Sequence, residues 1–140
     1  MKIVYVTRRE RFNAAHKLWN DTWSAEKNHT VFGKCANENW HGHNYDLFVT
    51  VKGEPQVDTG FCVDLKDLSD LIKSEVIDSL DHKNLNLDVP FMKGIMASTE
   101  NLCIAIWEQV EEKINGMGCM LHSIKIYETE NNFAEYFGGE

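Results

Sequence analysis

Two kinds of apolar spacing alternate along the chain. Residues 2–12 are rich in β-branched and aromatic side chains and predict a first strand, with Arg8-Arg9-Glu10-Arg11 wetting its outer face. A second strand is predicted over residues 43–53 through the run Leu47-Phe48-Val49-Thr50-Val51, closed by a turn from Gly53 to Gly60. From Asp64 the period lengthens. Leu65, Leu68, Leu71, Ile72, Val76 and Leu80 recur at helical steps, which predicts an amphipathic helix with Asp64 as N-cap and Asp81-His82-Lys83-Asn84 at its end. After the extended connector Leu85 to Pro90, Ser98-Thr99-Glu100 opens a second helix. Its broad apolar face runs from Leu102 through Ile106, Trp107 and Val110 to Ile114, and Asn115-Gly116 stops it. Cys119 to Glu128 then alternates as a strand, and Phe133 to Phe137 pairs back across the turn Glu130-Asn131-Asn132.

Strand, strand, helix, helix, strand, strand implies an α+β domain. A four-stranded antiparallel sheet carries both helices on one face, and one domain covers residues 1–140. Between the first two strands, Leu18 to Asn39 reads as a long polar loop studded with Trp19, Trp23 and Phe32, a lid or a subunit contact. Such a sheet has two unprotected edges, and pairing edge to edge into a closed ring removes them.

Composition narrows the function classes. With 43% hydrophobic and 26% charged residues in 140, the chain is long enough to bury a core, and its formal charge of −8 argues against a general nucleic-acid or membrane surface. The opening Met-Lys-Ile-Val-Tyr-Val lacks the features of a signal peptide, and no run approaches the ~20 apolar residues of a membrane span, so a cytoplasmic protein is expected. The four cysteines form no C-x-x-C pair and are expected to be reduced. Cys62, Cys103 and Cys119 lie in apolar segments, whereas Cys35, beside Lys34 and a polar loop, sits where a thiol pKa is lowered.

The chemistry concentrates between Cys35 and Tyr45. His41 and His43 are separated by one glycine where the loop enters the second strand, so a period of two turns both rings to one side. An H-x-H pair is half of a zinc site; catalytic zinc takes three protein ligands and keeps one position open. His16, at the end of the first strand, is brought alongside if the two strands are antiparallel. Cys35 is an alternative third ligand, since thiolate also binds zinc. The plainer readings are a solvated histidine pair and a buried, inert thiol.

Phe12-x-Ala-Ala-His16, Phe32-Gly-Lys-Cys35, His41-Gly-His-Asn-Tyr45, Leu80-Asp-His-Lys-Asn-Leu85, Ser98-Thr-Glu-Asn101 and Tyr127-Glu-Thr-Glu-Asn-Asn132 follow one another in order. Together they closely resemble the 6-pyruvoyl-tetrahydropterin synthase family, which includes the bacterial 6-carboxytetrahydropterin synthases. The resemblance implies the tunnelling fold, with sheets joined into barrels and a homohexamer built as a dimer of trimers. It implies a lyase that eliminates triphosphate from 7,8-dihydroneopterin triphosphate to give 6-pyruvoyl-tetrahydropterin, with Zn²⁺ held by His16, His41 and His43. In that match Cys35 is the catalytic cysteine, Asp81 and His82 form its relay, and Glu128 anchors the pterin ring, with Thr99 and Glu100 nearby. Ser98-Thr99-Glu100 is equally a plain helix start, and the His82 ring equally one that complements a helix C-terminus.

Few positions depart from the family pattern. Phe61-Cys62 looks like a core substitution. The spacing C-x5-H-x-H favours the pyruvoyl synthases, where the bacterial carboxy branch of the queuosine pathway commonly has C-x3-H-x-H. That branch, which acts on the same substrate and also expels acetaldehyde, is the alternative enzyme. A zinc-stapled binding protein that uses His16, His41 and His43 only for structure is the non-catalytic alternative; structural zinc is normally closed by four protein ligands, so Cys35 bound to the metal would favour it and Cys35 free beside an open position would sink it.

Overall fold

Thirteen-residue β-strands that pair along their whole length dominate the architecture. The structure, a computed structural model, describes residues 1–139. Strands β1 (Val4–His16) and β2 (His41–Gly53) run antiparallel from Val4 opposite Gly53 to His16 opposite His41, with Phe12 facing Tyr45 and Ala14 facing His43. β4 (Met120–Thr129) pairs antiparallel with β2, and β5 (Asn132–Tyr136) with β4. A two-residue strand, β3 (Lys83–Asn84), lies parallel to β1 at Ala14 and Ala15. The sheet order is therefore β3-β1-β2-β4-β5, five-stranded and mixed rather than four-stranded and antiparallel.

Pairing, not propensity, sets the strand ends. β1 runs on through Asn13-Ala14-Ala15-His16, beyond the predicted boundary at residue 12, because β2 supplies partners up to His41. The supposed loop holds helix α1 (Ala25–Phe32) and the 3₁₀ turn Gly33–Ala36. Ser24 caps α1 by accepting from the Lys27 amide. Fully buried Asn28 ties this segment together: its Oδ1 accepts from the Asn20 amide at 2.7 Å and its Nδ2 donates to the carbonyls of Asn20 and Ser24.

The first predicted helix is interrupted. α2 (Leu65–Ile72), capped by the Asp64 carboxylate, passes through a π turn (Lys73–Ile77) into the short α3 (Asp78–Leu80). The wider turn lets consecutive Val76 and Ile77 both face inward with Leu68, Ile72 and Leu80. α4 (Thr99–Asn115), capped by Ser98, buries Leu102, Ile106, Val110 and Ile114. These side chains pack on the alternate strand residues Phe12, Ala14, Leu47, Val49, Val51, Ile124 and Ile126, and each large one contributes about 1.5–3 kcal/mol on burial. The opposite face carries Tyr5, Thr7, Arg9, Arg11, Phe48, Lys125, Tyr127 and Phe133, and stays exposed or half-buried. No helix of the described residues is long and apolar enough to cross a membrane.

Candidate functional site

Register decides where the histidines meet. His16 ends β1 opposite His41, the first residue of β2, and His43 follows two residues on, opposite Ala14. All three rings point to the helix-covered face, with centroids 4.5, 5.1 and 4.9 Å apart for the pairs 16–41, 16–43 and 41–43. The His16 Nδ1–H donates to the Ala97 carbonyl at 2.7 Å, just ahead of α4. A carbonyl only accepts, so this bond places the proton on Nδ1 and leaves Nε2 as a lone pair.

Three ring nitrogens, His16 Nε2, His41 Nδ1 and His43 Nε2, are buried without a hydrogen-bond partner. Unpaired buried polar atoms are costly, and three converging on one point are what a bound cation would satisfy. Burial is the main influence on each ring and pushes its pKa below the ordinary histidine value, with Glu128 acting in the opposite direction. The rings are thereby held neutral, the form that ligates metal. Nitrogen ligands with a carboxylate alongside suit Zn²⁺, so the donor set fits the ion that the sequence motifs imply.

Glu128, from β4, joins this cluster, and its ligand atom and those of the three histidines all lie within 4.8 Å of one another. Its Oε1 is 2.9 Å from His43 Nε2 and 3.6 Å from His16 Nε2, while Oε2 accepts from the Thr99 hydroxyl at 2.9 Å. The same carboxylate lines a cleft of about 420 Å³ with Thr99, Glu100, Asn132, Phe133, Ala134 and Glu135. That volume falls within the range of small-molecule sites, roughly 300–1,000 Å³. Its place beside the metal ligands is beyond the ring-anchoring role that the family resemblance implies, and no local sequence pattern signals it.

Cys35 lies in the 3₁₀ turn, pinned to the end of β1 by the Leu18 amide, which donates to its carbonyl at 2.7 Å. It is outside the four-residue metal cluster. Burial, and then the Glu128 carboxylate, push its thiol pKa up. Within one metal-free chain, neither Lys34 nor any other cation offsets the loss of hydration.

Asp81 and His82 are held elsewhere. The Asn13 amide donates to Asp81 Oδ1 at 2.8 Å, and this bond above all holds the Asp81 carboxyl below its ordinary pKa. The His82 amide donates to the Asn13 carbonyl at 2.6 Å, and the His82 backbone takes a left-handed φ of 60°. The His82 Nδ1 lies 3.0 Å from Asp81 Oδ2, which orients the ring. Both line a cleft with Arg11, Asn13, Asn44 and Asp46 from the open face of the sheet and with Phe12 and Tyr45, and none of the three clustered histidines lines it. Neither residue belongs to the four-residue metal cluster, and Cys35 does not line their cleft.

Tyr45 is a further site residue that the alternation His41, His43, Tyr45 could have revealed. Its ring stacks on Phe12 at 4.9 Å and meets His43 edge-on at 5.7 Å. Its hydroxyl is buried without a partner, and burial, with Glu128 and Cys35 nearby, raises its pKa far above the ordinary phenol value, so it stays protonated.

The chain matches the family model described as 6-pyruvoyl tetrahydropterin synthase over residues 5–139. It is 45% identical over 137 residues to a 6-pyruvoyl tetrahydrobiopterin synthase of Dictyostelium discoideum, covering 98% of each chain. It is 42% identical over 133 residues to the Homo sapiens enzyme of that name, covering 95% of this chain and 90% of the other. The solved structure of Caenorhabditis elegans 6-pyruvoyl tetrahydropterin synthase superposes with a TM-score of 0.92 at 37% identity, covering 99% and 98%. From the register that gathers His16, His41 and His43 to the likeness along its whole length, this chain belongs to the 6-pyruvoyl tetrahydropterin synthase family.

Proposed function

We propose that the protein is a zinc-dependent lyase that takes 7,8-dihydroneopterin triphosphate to 6-pyruvoyl-tetrahydropterin with loss of triphosphate. The observation that carries this reading is a single carboxylate, Glu128, shared between the three neutral imidazoles and the neighbouring cleft. His16, His41 and His43 hold the metal, which when bound supplies a positive charge that steadies developing negative charge on a substrate oxygen. Glu128 grips the two-donor edge of the pterin, with Thr99 fixing its Oε2 and Glu100 at the rim of the cleft. Cys35 takes and returns protons at the side-chain carbons, where its loss should cost about 100-fold or more in turnover.

The Asp81–His82 relay is completed in this reading by a second copy of the chain, since within one chain the pair lines a cleft that Cys35 does not share. A homohexamer formed as a dimer of trimers, working in the cytoplasm, accommodates that arrangement and pairs the β3 and β5 edges. The test is to incubate the zinc-loaded protein with dihydroneopterin triphosphate and identify the products. Triphosphate and 6-pyruvoyl-tetrahydropterin are expected; acetaldehyde and 6-carboxytetrahydropterin would assign the carboxy branch instead. The four-donor cluster also suits a closed structural metal site, and complete lack of turnover with metal retained would favour that reading.

A further inference from the structure

Glu128 stands in two surroundings at once, and ring recognition accounts for only one of them. Its Oε2 is held by Thr99 and faces the cleft. Its Oε1 approaches His43 Nε2 to 2.9 Å and His16 Nε2 to 3.6 Å, yet neither nitrogen is in a hydrogen bond. For His16 the reason is chemical: the ring proton is on Nδ1, given to Ala97, so a nitrogen lone pair faces a carboxylate oxygen. Two electron-rich atoms in that relation repel unless a cation lies between them. Four ligands at roughly 2.0–2.1 Å from a tetrahedral zinc ion sit about 3.3 Å from one another, and the two observed separations bracket that value. The Thr99 hydroxyl on the other oxygen is the kind of outer partner that a ligating carboxylate normally has.

We infer that Glu128 is an exchangeable metal ligand that couples ring recognition to opening of the metal site. With the cleft empty, Oε1 completes the set begun by His16, His41 and His43. A ring presenting two adjacent N–H donors is gripped bidentately only if both oxygens turn into the cleft, so docking removes Oε1 from the metal and frees one position for the substrate's side chain. The metal is thus closed to water and stray anions until a ligand with the right edge arrives. This inference rests on the pterin-lyase reading and adds to it the order of events at the site.

Cobalt(II) in place of zinc reports its ligand set through visible absorption, independently of turnover. Before any pterin is added, the Glu128→Gln protein should bind the metal about 10-fold or more weakly and show different absorption bands from the parent. Adding 7,8-dihydroneopterin, the ring and side chain without triphosphate, should move the parent's bands toward those of the variant. Equal affinity and identical bands in parent and variant before addition would overturn the ligand assignment. Dihydroneopterin that binds, as its own fluorescence reports, without moving the parent's bands would overturn the coupling alone. Absence of binding would remove the ring recognition on which both coupling and function depend, while the first comparison would still decide whether Glu128 is a ligand.

Discussion

His16 and Ala97 meet across 81 positions of chain through one hydrogen bond of 2.7 Å, from the ring Nδ1–H to the carbonyl. The bond fixes the His16 tautomer, and it ties the end of β1 to the start of α4, so ligand orientation and helix docking depend on each other. Burial lowers the pKa of His16, as it does those of His41 and His43.

A pH dependence follows. In the folded, metal-free protein the three rings resist protonation, whereas in the unfolded chain they titrate near the ordinary value of about 6.5. The unfolded state therefore binds more protons as pH falls below that value, and stability is lost on going down through the depressed folded values. Denaturation midpoints of metal-stripped protein should fall from pH 7.5 to pH 5.5, and the fall should be shallower in His16→Gln. A midpoint that does not change over this range would contradict the assignment.

Tyr45 offers a separate test of the site's polarity. Its hydroxyl is buried and unpartnered, while its ring is held by the Phe12 stack. Tyr45→Phe keeps the stack and removes the unpaired group, so urea denaturation should show a change within about 0.5 kcal/mol or a gain, where loss of a made hydrogen bond would cost about 1 kcal/mol. A loss of the larger size would mean that the hydroxyl has a partner in solution.

The candidate site was legible as far as short periods reach. Alternation alone put His41 and His43 on one side of a strand, and the caps Asp64 and Ser98 were legible because a cap is a bond between near neighbours. α1 was not, since it has little apolar face and is organised by Asn28, a polar residue bonded across eight positions to Asn20. The two residues of β3 have no strand signal of their own and are set by the Leu85 amide donating to the Ala15 carbonyl. The position of Glu128 between metal ligands and cleft, and the separate cleft that Asp81 and His82 line, are tertiary facts without a local pattern.

Cys35 should respond to metal. Its thiol pKa is raised by burial and by Glu128, so in metal-free protein it should alkylate near neutral pH more slowly than a free cysteine, and loading zinc should speed it by supplying positive charge. Rates followed by mass spectrometry with a haloacetamide check this. Faster alkylation of the metal-free form would show that the thiolate is already favoured without the metal. Cys35→Ala should keep its metal and its assembly, since the thiol lies outside the ligand cluster.

Metal content of the purified protein and of His41→Ala, measured beside turnover on dihydroneopterin triphosphate, tests the central claim most directly. The parent should carry one zinc per chain and form product, and the variant, still folded by circular dichroism, should lose both together. A folded His41→Ala protein that keeps one zinc per chain, or one that turns over without metal, would contradict the account.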